Sequence, residues 1–161
     1  MITVRLAGVK DVEAIESLFR RYLLFGESSI AYVESLLGRD TVYVAEDSGK
    51  VIGVIAINSD GRIYHLAVDE GFRRQGVGRL LLNYVLENHK DLPFFDAVGW
   101  RTPNGWLAES LFLRQGFVIK QEVPLWKEDC DSVSFCPYFT GKCVCTAVVV
   151  EKLNTSRSSS D

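Results

Sequence analysis

Ile63-Tyr-His-Leu-Ala-Val-Asp-Glu-Gly-Phe-Arg-Arg-Gln-Gly-Val-Gly-Arg79 runs directly into Leu80-Leu-Leu-Asn-Tyr-Val-Leu-Glu87, and this stretch decides the fold. Ile63 to Val68 is short, apolar and bounded by turn residues, the signature of a buried strand. Val77, Leu80, Leu81, Tyr84 and Val85 share one face at helical spacing. Between strand and helix lies a tight loop with Gly76, Gly78 and three arginines, Arg73, Arg74 and Arg79. A helix start offers unsatisfied backbone N–H groups and a partial positive charge, and glycines let an anion approach the main chain closely. The arginines add attraction at longer range. The stretch reads as a pyrophosphate cradle.

Two common phosphate-binding patterns do not fit. A P-loop ends in Gly-Lys-Ser/Thr, whereas here Arg79 and Leu80 follow the glycine. A dinucleotide fingerprint needs a third glycine or alanine where Leu81 stands, and no βαβ start precedes it. Arg73-x-x-Gly76-x-Gly78 after Leu66-Ala-Val-Asp69 does have a counterpart. It resembles the acetyl-CoA-binding segment of the GNAT superfamily, the Gcn5-related N-acetyltransferases, whose pattern is Gln/Arg-x-x-Gly-x-Gly/Ala.

Outward from that stretch, the chain of 161 residues suits one domain with a proper core, expected over 1–152. Apolar residues are 47% and charged residues 24%, a globular composition. A net charge of −3 argues against a general nucleic-acid binder. No apolar run reaches membrane-span length and Met1-Ile-Thr-Val-Arg has no signal-peptide core, so a cytoplasmic protein without a membrane partner is expected. A homodimer is left open. Asn154 to Asp161 is polar and Ser-rich, and reads as a disordered tail.

Residues 2–6 alternate as a strand. Asp11 is a candidate N-cap for a helix carrying Val12, Ile15, Leu18, Phe19 and Tyr22, and a second short helix carries Ile30, Val33, Leu36 and Leu37. Strands over 41–46 and 51–58 are joined by Asp47-Ser-Gly-Lys50, a hairpin turn, and Ser59-Asp-Gly61 leads into the strand of the central stretch. After the 78–89 helix come a strand over 94–100, a helix capped by Asn104 and closed by Gly116, and a strand over 117–123. Cys143 to Glu151 reads as the last strand.

This order is also the one the resemblance implies: an α+β fold with a mostly antiparallel six- to seven-stranded sheet, splayed between strands four and five, and flanking helices. The resemblance implies acetyl-CoA as cosubstrate, with its pyrophosphate on Arg73, Arg74, Gln75, Gly76, Val77, Gly78 and Arg79. Its pantetheine arm would run along the backbone of Leu66, Ala67 and Val68 like an added strand. Asn104 matches an asparagine often found near that arm, and is equally readable as a helix cap. Many relatives place a glutamate near strand five and a tyrosine in the next helix as base and acid. Here Gly99 and Trp100, and Phe112, stand there instead. By strand parity, Tyr64 shares a face with Arg62, Leu66 and Val68 while His65 points away, so Tyr64 is the candidate proton relay. Trp100 and Trp106 read either as an acceptor-pocket lining or as core. The implied activity is direct acetyl transfer to a primary amine. A non-catalytic acyl-CoA-binding or sensor module is the alternative.

Four cysteines fall in the last third of the chain: Cys130, Cys136, Cys143 and Cys145. If Cys143 and Cys145 lie in a strand, their thiols share one face and could serve a tetrahedral metal with the other two. A structural zinc holding a loop over 129–145 is one reading. Two disulfides and four unlinked thiols are the others.

Overall fold

The computed structural model describes residues 1–22, 29–124, 138–139, 141 and 143–154. Its fold is mixed α+β, with a mostly antiparallel seven-stranded sheet and flanking helices. The chain divides into two compact units, Met1–Leu92 and Pro93–Asp161.

In the first unit, β1 (Ile2–Leu6), β2 (Thr41–Asp47), β3 (Lys50–Ile57) and β4 (Arg62–Val68) pair antiparallel in sequence order. The β2–β3 hairpin turns through Ser48 and Gly49, at φ 52° and 80°. Positive φ at both central positions suits the turn to the twist of the strands. Helices α1 (Val12–Tyr22) and α2 (Ile30–Arg39) lie against this sheet. Their three- and four-residue spacing puts Ile15, Leu18, Phe19, Val33 and Leu36 into one core with Val42, Val44, Val54, Ala56 and Ala67. Each such large side chain contributes roughly 1.5–3 kcal/mol by leaving water. Ser29 caps α2 by accepting the Tyr32 N–H at 3.0 Å. Helix α3 (Val77–Asn88) contributes buried Val77, Leu81, Leu82 and Val85.

Asp11 does more than end a turn. A short 3-10 turn, Val9–Asp11, precedes α1, and the Asp11 carboxylate accepts the Gly8 N–H at 2.8 Å. It also receives both terminal nitrogens of Arg5 at 2.8 Å, while Arg5 reaches Glu46 at 2.6 Å. This charge-assisted fork fastens β1 to the helix entry and to β2. The Arg5 fork outweighs burial and holds the Asp11 carboxyl below the usual carboxylate range.

In the second unit, β5 (Phe94–Arg101), β7 (Thr146–Leu153) and β6 (Val118–Pro124) pair antiparallel, with β7 central. Helix α4 spans Glu109–Arg114. Three expectations change here. The last strand begins at Thr146, so Cys143 and Cys145 precede it in irregular backbone and strand parity does not pair their thiols. Helix α4 starts after Ala108, and Asn104 sits instead in a Thr102–Gly105 turn, its N–H bonded to the Thr102 hydroxyl at 3.1 Å. Gly105, at φ 90°, lets that turn close. Leu107, ahead of the helix, is exposed.

Candidate active site on strand β4 and the start of α3

The strand that leads to the glycine loop is not regular. Tyr64 pairs with Ala56 and Ala67 with Val54, so His65 and Leu66 together oppose the single residue Ile55. This is a β-bulge, which re-aims the side chains beyond it. His65 takes up the irregularity at φ 54°, a left-handed conformation that costs a non-glycine residue roughly 1–3 kcal/mol.

The bulge overturns the parity expectation. Tyr64 and Ala67 both pack toward the α1–α2 core, although they are three residues apart. Val68 pairs with Gly53, whose Cβ direction points at Leu81 and Val77 of α3. Tyr64 therefore does not share a face with Val68. His65, expected to point away from Tyr64, instead packs against Phe19 of α1 and Tyr32 of α2, with ring centroids 4.9 and 5.7 Å away, and against Tyr64 at 4.6 Å.

A polar cluster results on the α1–α2 side. The His65 Nε2 and the Tyr32 hydroxyl are 2.5 Å apart. The Tyr64 hydroxyl donates to Oδ2 of Asp40, the residue that closes α2, and the Arg39 Nε donates to the same oxygen at 3.0 Å. The Asp40 side chain is only 8% exposed. Burial, reinforced by the Arg39 charge and partly opposed by Asp40, pushes the His65 imidazole down to about 4. It is neutral at pH 7.

Beyond Val68 the loop is tightly braced. Asp69 starts a 3-10 turn, Glu70–Phe72, accepting the Gly71 N–H at 3.1 Å. Arg21 and Lys50 flank its carboxylate at 3.5 and 3.6 Å. Burial works to raise the Asp69 pKa, but the Gly71 N–H and the two cations prevail and lower it. The Arg73 Nε donates to the Val68 carbonyl at 3.1 Å, and its guanidinium lies over the Tyr22 ring, 4.6 Å from the centroid. The Tyr22 hydroxyl in turn accepts the Glu70 N–H at 3.1 Å. Arg73 thus acts as a strut of the loop, while Arg74 and Arg79 are exposed.

Arg74 (φ 60°) and Gly76 (φ 83°) turn the chain into α3. The Leu80 N–H makes the bond to the Gly76 carbonyl at 2.9 Å that opens the helix, so the N–H groups of Val77, Gly78 and Arg79 stand ahead of the ladder. A Cβ on Gly76 would meet only the Arg79 guanidinium, at 3.9 Å, so the outer side of this turn is uncrowded. Gln75 uses its side-chain amide on the Gly71 carbonyl at 3.0 Å. Val77 is buried and contributes its backbone only.

In the second unit, the Trp106 ring lies directly on Gly99. A Cβ there would fall 1.9–2.3 Å from its ring carbons. Trp106 also stacks on Phe112, which meets Phe117 edge-on. The position without a glutamate is thus one where Trp106 tolerates no side chain, and Phe112 is core. The Asn104 side-chain amide donates to the Tyr138 hydroxyl at 2.9 Å. Cys130 and Cys136 lie outside the described residues, as does the polar tail after Asn154. Cys143 is half-buried and Cys145 buried. Among the described residues no group of three or more metal-ligating side chains occurs, and no helix is long and apolar enough to cross a membrane.

The sequence matches the acetyltransferase (GNAT) domain family over residues 38–119, just over half of the chain. The chain belongs to the GNAT family. Solved structures share its fold across nearly their whole length. Ard1 from Thermoplasma volcanium is 24% identical, with a TM-score of 0.73 and coverage of 94% of this chain and 97% of that one. The ribosomal-protein-S18-alanine N-acetyltransferase from Escherichia coli is 20% identical, with a TM-score of 0.75 and coverage of 95% and 94%. Rv2747 from Mycobacterium tuberculosis, in complex with CoA and NLQ, is 21% identical, with a TM-score of 0.67 and coverage of 94% and 98%. This GNAT chain is built for acetyl-CoA-dependent acetyl transfer in general.

Residue reading alone missed Tyr22, Asp69, Tyr32 and Asp40 as parts of the site. Tyr22 and Asp69 carried a signal: an aromatic at the end of α1 and an acid closing the strand, both bracing a loop rich in arginine.

Proposed function

We propose that the chain is a cytoplasmic N-acetyltransferase, a single acetyltransferase domain over 1–152. It moves the acetyl group of acetyl-CoA to a primary amine of a small molecule, peptide or protein, by direct transfer in a ternary complex. One observation carries the assignment: a bulged strand leads through a braced loop to a helix start whose three leading N–H groups stand ahead of the helical ladder, beside exposed Arg74 and Arg79. The pyrophosphate takes these donors, and the pantetheine runs along Leu66, Ala67 and Val68. Arg73 and Gln75 hold the loop that presents them. In the family the arm enters a splay between the fourth and fifth strands, and Asn104 is the residue that the resemblance assigns to the arm. Tyr64 is the proton-relay hydroxyl. It stands two residues before Leu66, on the near side of the bulge. Proximity of amine and thioester supplies most of the rate, and backbone N–H groups polarise the carbonyl.

Gly99 and Phe112, both committed to packing with Trp106, favour a second assignment, an acyl-CoA-binding module without turnover. Release of CoA thiol over a broad panel of small amines and peptide N-termini separates the two. Turnover with acetylated amine detected by mass is the expected result. Tight acetyl-CoA binding with no thiol release across the panel establishes the sensor instead.

A further inference from the structure

We propose that Asp40 receives the acceptor amine's proton through the Tyr64 hydroxyl, as the terminal carboxylate of the relay. This rests on the N-acetyltransferase assignment and names a residue the sequence did not single out. Asp40 is the residue at which α2 ends, and its backbone N–H bonds to the Leu36 carbonyl at 2.9 Å. Its side chain turns inward, nearly covered, to a hydroxyl on the bulged strand. A covered carboxylate is normally matched to a partner, and here the partners are one cation, Arg39, and one hydroxyl, Tyr64. The groups facing it are Arg39 and Tyr32 on α2 and Tyr64 and His65 on β4. Among the described residues, no second carboxylate bonds to it. His65 is neutral and pairs with Tyr32, so it packs the Tyr64 ring in place without competing for the proton.

Tyr64 faces the side of Asp40 through its pairing with Ala56, and the bulge that follows turns His65 to the same side, two residues short of the segment assigned to the arm. The neutral amine's lone pair attacks the thioester carbonyl carbon, and the C–S bond breaks with its electron pair on sulfur. The N–H proton passes to the Tyr64 oxygen as the Tyr64 proton passes to Asp40. The thiolate takes a proton from water, and Asp40 later returns its own to solvent. Acetyl-amine and free CoA thiol are the products, and no oxidant or metal is needed.

Asp40 acts through Tyr64 and is a positioning residue in that sense, so the test compares the two. Asp40→Asn, Tyr64→Phe, the double variant and Asp40→Glu are assayed for kcat and KM across pH with the best amine of the panel. Folding is checked by thermal melting, and acetyl-CoA affinity by calorimetry. Each single change should lower kcat about 10- to 100-fold with acetyl-CoA affinity within about twofold of the parent. The double variant should be no worse than the worse single, because both remove one relay. Asp40→Glu should recover part of the rate, a rescue that a merely structural role for Asp40 would not give. A folded Asp40→Asn with parental kcat, or losses that multiply in the double, overturns the relay and leaves the N-acetyltransferase assignment standing. If Asp40→Asn fails to fold, Tyr64→Phe decides alone: parental kcat there also overturns it. A parent that turns over no amine removes the assignment and the relay with it.

Discussion

His65 gives the structure a measurable acid sensitivity. Its imidazole lies among Phe19, Tyr32 and Tyr64, with Arg39 nearby, and is held at about 4 instead of the ordinary 6.5. A histidine depressed in the folded state binds fewer protons there than in the unfolded chain between those two values. Stability therefore rises with pH across that window, is fully present above about 6.5, and is lost as pH falls toward 4. At ~1.4 kcal/mol per tenfold change, lowering the pH from about 7.5 to 5 should cost the parent about 2 kcal/mol through this group. Stopping near pH 5 keeps most carboxylates out of the transition. Urea unfolding at both pH values, with His65→Asn beside the parent, measures it. Asn tolerates the left-handed backbone and does not titrate. The variant should lose most of the slope and keep the smaller part owed to His89, which burial also lowers. Equal losses of stability in parent and variant would refute the burial of a neutral imidazole at the bulge.

Three further outcomes follow from the same geometry. Gly99→Ala should destabilise by about 1–3 kcal/mol in thermal or urea unfolding, because its Cβ would sit inside the Trp106 ring and force repacking. Initial-rate patterns should be those of a ternary complex, with Tyr64→Phe slower than His65→Asn, whereas ping-pong kinetics or a trapped acetyl-cysteine would contradict direct transfer. The four-cysteine zinc site requires one zinc per chain by native mass spectrometry of protein purified without chelator. A metal-free mass short by four protons replaces it with two disulfides.

The elements of the first unit were legible because their periods were clean. Val12, Ile15, Leu18 and Phe19 repeat at helical spacing, and Ser48-Gly49 marks a hairpin. The glycine turn into α3 was legible because Gly76 and Gly78 stand directly before an apolar run at helical spacing. The bulge was not, since one additional residue in a strand leaves its composition unchanged while reversing every face beyond it. The irregularity turned His65 to the side that Tyr64 already faces through Ala56, where Asp40 arrives from the end of a different helix. Asn104 read as a cap because Asn often is one, but Thr102 and Gly105 close a turn around it first. Arg73 reads as a phosphate ligand beside its two neighbours, and its contacts with Val68 and with Tyr22, distant in sequence, give it a bracing role that the sequence did not announce.

The central claim is that the start of α3 holds the pyrophosphate of acetyl-CoA, and Gly76 tests it most directly. At φ 83° with open space in front, Gly76→Val strains the backbone and places a branched side chain before the leading N–H groups. Calorimetric titration of acetyl-CoA, and of acetyl-pantetheine lacking the pyrophosphate, into parent and variant is the measurement. The parent should bind acetyl-CoA one to one, the variant at least tenfold more weakly, and the two should bind acetyl-pantetheine alike. A folded Gly76→Val that binds acetyl-CoA as tightly as the parent would contradict the placement.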